Sequence, residues 1–334
     1  MKNIGIDLGT ANTIIYMKGR GIVLREPSVV ALDSKGRDVV AVGNAAKQML
    51  GKTPGSIKAL RPLKDGVIAE FDATAAMLRH FFKKVSGSSI FSRPKVIVCI
   101  PYGVTEVEKR AVEDVTIEAG AQSVALIEEP VAAAIGSGLR IEDARGSMIV
   151  DIGGGTTEVA VLSYGGIVFS NSIRTAGDAI DSAITSYIKR RYNVLIGEVT
   201  AETLKKSIGC AHSSYDRGIM EVRGRNIING LPAILTLSSA EIREAMLDSI
   251  RTIIDSIKNT LENTPPELAS DIYDRGIVLA GGSALIPGID LVIARSTGIR
   301  TYVAKNPIDC VACGIGRVLE GGNVGGGAIM FRGR

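Results

Sequence analysis

Tryptophan is absent from this chain, and aromatic residues make up only 4% of it. Surfaces that bind single-stranded nucleic acid stack bases on aromatic rings, so that class of function has little to work with. A basic excess is lacking too. The 39 Lys and Arg against 35 Asp and Glu leave a net charge of +4 over 334 residues, an ordinary soluble surface from which no nucleic-acid partner is expected. No apolar run reaches the ~18 residues that a membrane span needs. The chain starts directly on a strand, Lys2 to Ile6, so no signal peptide is expected. Cys99, Cys210, Cys310 and Cys313 are too few and too scattered for a disulfide framework and fit a reducing cytoplasm. Cys310-Val311-Ala312-Cys313 is formally a CxxC, but neither the other cysteines nor the two histidines offer a second ligand pair at suitable spacing, so packed helix residues are expected there.

What the chain does have is glycine, 39 residues of it, and two stretches that read alike: Asp7-Leu8-Gly9-Thr10-Ala11-Asn12-Thr13 and Asp151-Ile152-Gly153-Gly154-Gly155-Thr156-Thr157. Each follows an apolar strand and opens a second one, which predicts a tight turn with converging N–H groups. Such a nest binds anions. Two facing nests, each headed by an aspartate, would grip a polyphosphate and its metal from both sides.

The surroundings are duplicated as well. Lys2 to Ile6, the turn, Thr13 to Met17 and a third strand from Ile22 are matched by Met148 to Asp151, the turn, Thr157 to Ser163 and Ile167 to Ser170. Strand Lys95 to Ile100, helix Val104 to Ala119, strand Ser123 to Ile127 and helix Val131 to Ile135 are matched by strand Gly276 to Ala280, helix Ile286 to Thr297, strand Thr301 to Ala304 and helix Ile308 to Leu319. Each half reads as a βββαβα unit, which predicts an α/β fold of two lobes: residues 1–138 plus 305–334, and residues 139–304. The halves differ in their inserts, about 27–72 in the first and about 173–236 in the second, the latter with its own helices and a charged loop from Arg217 to Arg225. After it comes an amphipathic helix capped by Ser238 and Glu241, with Ile242, Met246, Ile250, Ile253, Ile257 and Leu261 on one face. The glycine-rich tail Gly321 to Gly333 is expected to be mobile.

One glycine turn after a strand is ordinary hairpin chemistry. Two acid-headed turns at matching points of a repeat, with a third turn at Ala280-Gly281-Gly282-Ser283-Ala284, favour a clefted nucleotide site. Magnesium takes few carboxylates plus phosphate oxygens and water, which suits Asp7 and Asp151. Glu129 stands at a strand end before Pro130, and if both halves aim their strand ends into one cleft it faces the phosphates, where a carboxylate can orient or polarise a water. The competing reading, an acid complementing a helix dipole, fits Glu128 equally well.

DLGTANT, IEEPVAAAIGSG, DIGGGTTEVAV, AETLKKSIG, GIVLAGGSALIPG and NPIDCVACGIG follow one another between Lys2 and about Leu319. In that order they resemble the MreB-type bacterial actins, within the actin, DnaK-type chaperone and sugar-kinase superfamily. The resemblance implies a four-subdomain, actin-like (ribonuclease-H-like) fold that binds ATP or ADP with Mg2+ between two lobes, hydrolyses ATP slowly and polymerises into filaments that control cell shape. Carried over by motif, Gly9, Thr10, Ala11 and Asn12 would form the first phosphate turn and Gly153, Gly154 and Gly155 the second. Asp7 and Asp151 would hold the metal, Glu129 and Thr156 would position the hydrolytic water, Glu202 and Lys205 would contact the nucleoside, and Gly281, Gly282, Ser283 and Ala284 would form the adenosine turn. The family more often has glycine where Ser283 stands, a departure that is tolerable if Ser283 presents only its backbone.

The resemblance also implies head-to-tail protofilaments, paired, at the inner face of the cell membrane, with elongation proteins of the MreC, MreD and RodZ type as partners. Ile90 and Phe91 in a polar loop flanked by Lys83, Lys84, Arg93 and Lys95 are the candidate anchor; the same loop could instead tuck onto its own domain. Two further functions share the superfamily fold. A sugar or metabolite kinase would need a positioned base for its acceptor hydroxyl, and the motifs include no additional one. A chaperone-type ATPase would need a substrate-binding domain, and none is expected after the last repeat helix.

Overall fold

The computed structural model describes residues 3–33, 36, 38–86, 93–321 and 332–333. Three strands open the chain as a meander: β1 (Asn3–Leu8), β2 (Asn12–Met17) and β3 (Gly21–Pro27). The first insert follows, a small sheet of β4 (Val30–Asp33), β5 (Val39–Val42) and β6 (Ile57–Leu60) carrying helix α1 (Asn44–Met49), then a hairpin of β7 (Leu63–Lys64) and β8 (Val67–Ile68). Helix α2 (Phe71–Ser86) leads to β9 (Lys95–Ile100), α3 (Glu106–Glu118), β10 (Ser123–Glu128) and α4 (Glu129–Ser137).

The second half repeats the plan with β11 (Ser147–Ile152), β12 (Thr157–Ser163) and β13 (Gly166–Ile173). Its insert holds α5 (Gly177–Tyr192), β14 (Val194–Leu195), α6 (Glu198–Ile208), β15 (Ile219–Asn226) and β16 (Pro232–Ser238). Then come α7 (Ser239–Glu262), α8 (Pro266–Arg275), β17 (Ile277–Ala280), α9 (Ile289–Thr297), β18 (Thr301–Val303) and α10 (Cys310–Leu319). The duplication is visible in the pairing. One sheet runs β3-β2-β1-β9-β10 and the other β13-β12-β11-β17-β18, each an antiparallel meander extended by two parallel strands. Both β11 and β12 are buried at every residue, as expected of strands covered on both faces, and they read as near-continuous apolar runs.

Beneath the cleft the two sheets share one core. Ile97 and Ala125 of the first sheet and Ile149, Ala160 and Leu162 of the second pack against α4 and α10. These helices cross in backbone contact. A Cβ on Gly136 would overlap the Cys310 carbonyl, and one on Gly314 would overlap the Ala132 carbonyl. Cys310 is buried and Cys313 half-buried within α10, both free thiols, in line with packed helix residues.

Several boundaries differ from the sequence reading. Glu129 is not at a strand end: β10 stops at Glu128 and Glu129 opens α4, with Pro130 in the first turn, where its missing N–H leaves nothing unpaired. Helix α3 starts at Glu106 because Thr105 and Glu108 form a capping box. The stretch from Ile286 becomes helical only at Ile289, after a 3-10 turn over Gly282–Leu285, and a second 3-10 turn, Pro307–Asp309, precedes α10. The region read as a charged loop, Arg217 to Arg225, is largely strand β15. Its exposed residues alternate with half-buried or buried ones, so the charges lie on one face of a sheet. Within the tail expected to be mobile, Arg332–Gly333 pairs antiparallel with β10, covering what would otherwise be an open edge. The capping box of Ser238 and Glu241 and the apolar face of α7 are as expected. Ile90 and Phe91 lie outside the described residues.

Candidate functional site

The two look-alike stretches form the β1–β2 and β11–β12 turns, and the fold brings them into contact. A Cβ on Gly154 would lie 2.6 Å from the Ala11 Cβ, and one on Gly155 would lie 2.6 Å from the Thr10 hydroxyl oxygen. Glycine is therefore required here by close approach of one lobe's turn to the other's. Each turn is braced from behind. Ser28 donates its hydroxyl to the Gly9 carbonyl at 2.6 Å, and the Gly66 N–H, from the β7–β8 turn, donates to Thr10 Oγ1 at 3.1 Å. On the other side, the Gly153 N–H bonds the Thr156 carbonyl at 3.0 Å, and the first N–H groups of α5, those of Gly177 and Asp178, donate to the Gly153 and Gly154 carbonyls at 3.2 and 2.8 Å.

The third turn joins the second through a side chain. Ser283 Oγ donates to the Gly153 carbonyl at 2.9 Å, and Ser283 is buried. Ser283 therefore does not present only its backbone, as the family's usual glycine led one to expect. Its hydroxyl ties β17's turn to β11's.

Between the turns lies a cavity of about 360 Å³. Asp7, Gly9, Thr10, Ala11, Asn12, Glu129, Asp151, Gly153, Gly154, Gly155, Thr156, Glu202, Lys205, Gly281, Gly282 and Ser283 all line it. Ala284 does not; it is buried behind the turn. Lys47, Arg61, Cys99, Asp178 and Asp181 also line the cavity, and sequence reading missed them. Lys205 Nζ is held at 2.8 Å by both Asp181 and the Gly177 carbonyl. Burial pushes Asp181 up to about 6, against the pull of the Lys205 charge.

The floor is acidic. Burial pushes Asp7 up to about 7, with the Cys99 thiol, 3.5 Å away, pulling it down and the Asp309 charge adding to the rise. Burial likewise raises Asp151, reinforced by the charges of Asp7 and Glu158. Glu129 is raised well above the carboxylate range by burial and by Asp151, Glu158 and Asp7. Glu158 was also overlooked. It stands opposite Asp151 in the β11–β12 register, and burial raises it although the Ser172 hydroxyl, at 2.6 Å, and the Tyr102 backbone oppose the rise. No motif marks it, and only the β11–β12 register sets it beside Asp151. Asp151 Oδ2 and Glu158 Oε2 are buried without a hydrogen-bond partner. Buried acids with orphaned oxygens are the environment a cation stabilises. Among the described residues no group of three or more His, Cys, Asp or Glu could hold a metal ion on its own. The orphaned oxygen of Asp151 beside Asp7 on the cavity wall fits a metal completed by a ligand's oxygens and by water, as Mg2+ prefers.

A family profile described as "MreB/Mbl protein" matches residues 1–324. The chain belongs to the MreB/Mbl family. Among its relatives, the cell shape-determining protein MreB of Escherichia coli (strain K12) is 53% identical over 333 residues, covering 98% of this chain and 96% of that protein. The cell shape-determining protein Mbl of Bacillus subtilis (strain 168) is 49% identical over 319 residues, with 96% of each covered. Among solved structures, MreB5 of Spiroplasma citri bound to AMPPNP superposes with a TM-score of 0.91 at 42% identity over 96% of both chains. A chain from a MamK double helical filament, 22% identical, shares the fold with a TM-score of 0.80 over 96% of this chain and 98% of that one. The expected two-lobed actin-like α/β fold of an MreB/Mbl protein is thereby established. Among the described residues no helix is long and apolar enough to cross a membrane.

Proposed function

We propose that this MreB/Mbl chain binds ATP with Mg2+ in the cleft, hydrolyses it slowly, and assembles into filaments on the inner face of the cell membrane that control cell shape and organise lateral wall synthesis. The observation that carries this reading is the meeting of two glycine turns, one from each lobe, over a floor of buried carboxylates. The turns offer N–H groups to phosphate oxygens, which are anionic and need no side-chain base. Asp7 and Asp151 would hold the metal, which when bound supplies charge neutralisation to the phosphates. Glu129 and Thr156 line the same cavity and would orient the attacking water. Glu202 and Lys205 would face the nucleoside, and the turn over Gly281, Gly282 and Ser283 would let the base approach backbone, with Ala284 packing behind it.

Spiroplasma citri MreB5 is described as bound to AMPPNP and, in a second structure with TM-score 0.90, to ADP. That supports a nucleotide here. The relatives named as cell shape-determining match nearly the whole chain, which supports a cytoskeletal role over the kinase and chaperone readings. The division into lobes at residues 1–138 plus 305–334 and 139–304, the paired head-to-tail protofilaments and the MreC, MreD and RodZ type partners belong to this proposal. The test is sedimentation and electron microscopy of the purified protein with ATP and Mg2+, alongside phosphate release. Pelleted filaments with slow release are expected. Phosphate transfer to a sugar without filaments would overturn the reading.

A further inference from the structure

The mouth of the cleft is bridged by charge. Glu198 and Glu202 lie four residues apart on α6 and so share a face. Both meet cations of the other lobe's insert: Arg61 Nε donates to Glu198 Oε1 at 2.9 Å, and Lys47 Nζ lies 2.8 and 3.1 Å from the two Glu202 oxygens. Among the described residues these are the ion pairs that join the two inserts. Lys47, Arg61 and Glu202 also line the cavity, so the bridges form part of its wall.

At the opposite end of the cleft the lobes are held by the shared core in which both sheets pack against α4 and α10. With the floor fixed, the way in and out runs through the mouth, where the two bridges stand. We propose that Lys47–Glu202 and Arg61–Glu198 form an ionic latch between the inserts that sets how fast a nucleotide leaves the cleft and makes that rate respond to ionic strength. The proposal rests on the reading of the cleft as a nucleotide site.

The two bridges are not equal. Glu202 and Lys47 keep 18% and 28% of their side-chain surface, whereas in the other bridge Arg61 keeps 17% but Glu198 keeps 53%, so salt reaches the Arg61–Glu198 bridge first, through Glu198. Burial works against ionisation of Glu202, but hydrogen bonds and charge from Lys206 and Lys47 hold it down to about 2. The inner bridge therefore stays charged through the neutral range, and salt rather than pH is its lever. Lys206, 2.5 Å from Glu202 on the same helix, remains as a partner when Lys47 departs. Opening thus strands no carboxylate, and the latch can reclose.

The test loads the protein with a fluorescent ATP analogue and Mg2+ and follows release from the monomer after a chase with unlabelled ATP. Arg61→Glu and Glu198→Arg should each speed release about five-fold, the size expected when a partly exposed pair is replaced by like charges. The double charge swap should return the rate towards wild type, and added salt should speed release from wild type more than from either single variant. Additive effects in the double variant, or a wild-type rate indifferent to salt, would overturn the latch. Failure of wild type to retain the analogue would instead count against the nucleotide site. In that event the latch is read from the distance between spin labels at Lys52→Cys and Ser213→Cys in a Cys313→Ser background: it should lengthen in Arg61→Glu and recover in the swap, and an unchanged distance would refute it.

Discussion

Asp151 and Glu158 face each other across the β11–β12 ladder, each with one buried carboxylate oxygen that no hydrogen bond reaches. Neighbouring strands put directly opposed side chains on the same face of the sheet, so two acids share a space from which water is largely excluded. Asp7 and Glu129 add to the same field. The second turn is therefore the more electrostatically loaded half of the clamp.

Stability without nucleotide should fall as pH rises. Burial raises the pKa of Asp7, Glu129, Asp151 and Glu158 above their unfolded values. The folded state then binds more protons than the unfolded one, and its advantage, complete below about pH 4, is lost as pH climbs through the folded values, about 7 for Asp7. Every tenfold difference in proton affinity between the folded and unfolded chain is equivalent to about 1.4 kcal/mol. Thermal unfolding of nucleotide-free protein should show Tm dropping between pH 5 and pH 8, and Glu158→Gln should flatten the drop. A Tm that rises over this range would contradict the expectation.

Gly136→Ala and Gly314→Ala should each destabilise by at least about 2 kcal/mol, because the added methyl must push two helices apart. Gly55→Ala is the control. Nothing lies within 4 Å of its position, so its denaturant midpoint should stay close to wild type.

Ser283→Ala removes the hydroxyl that bonds the Gly153 carbonyl. A lost hydrogen bond of this kind costs about 1 kcal/mol, so nucleotide affinity, titrated by fluorescence, should weaken about five-fold. Unchanged affinity would mean that α5 alone holds the second turn.

Glu129→Ala should bind ATP yet release phosphate slower by about 100-fold, the size of a misplaced reacting group. Wild-type turnover in that variant would place the water under another group's control.

Ile90→Ser combined with Phe91→Ser should abolish co-sedimentation with anionic liposomes and leave ATP binding intact. Undiminished sedimentation would remove these two residues as the anchor.

The duplicated sheet was legible because both its strand runs and its glycine turns repeat in order, and the period-two and helical patterns there agree with the turn chemistry. What escaped was whatever depends on which residues the fold sets side by side. Glu158 looked like one more position in an apolar strand until register set it opposite Asp151. Arg61 and Lys47 carry no motif, and only the approach of the inserts gives them partners. Ser283 read as a blemish in a glycine turn because the carbonyl it bonds lies 130 residues away. Helix starts were misread by two or three residues where a cap or a 3-10 turn intervened, as at Thr105 and Gly282.

Helices α4 and α10 touch through Gly136 and Gly314 with no side chains between them. The two helices are thereby locked to one another, and both sheets pack against the locked pair, which leaves rotation about it as the easy relative motion of the lobes. The crossing then acts as a fulcrum. A small turn at the floor is multiplied with distance, so that the far ends of the inserts travel most while the carboxylate floor hardly moves. A change in what the cleft holds would thus be written out as a change in the molecule's span, the quantity that a neighbour seated on those ends can feel.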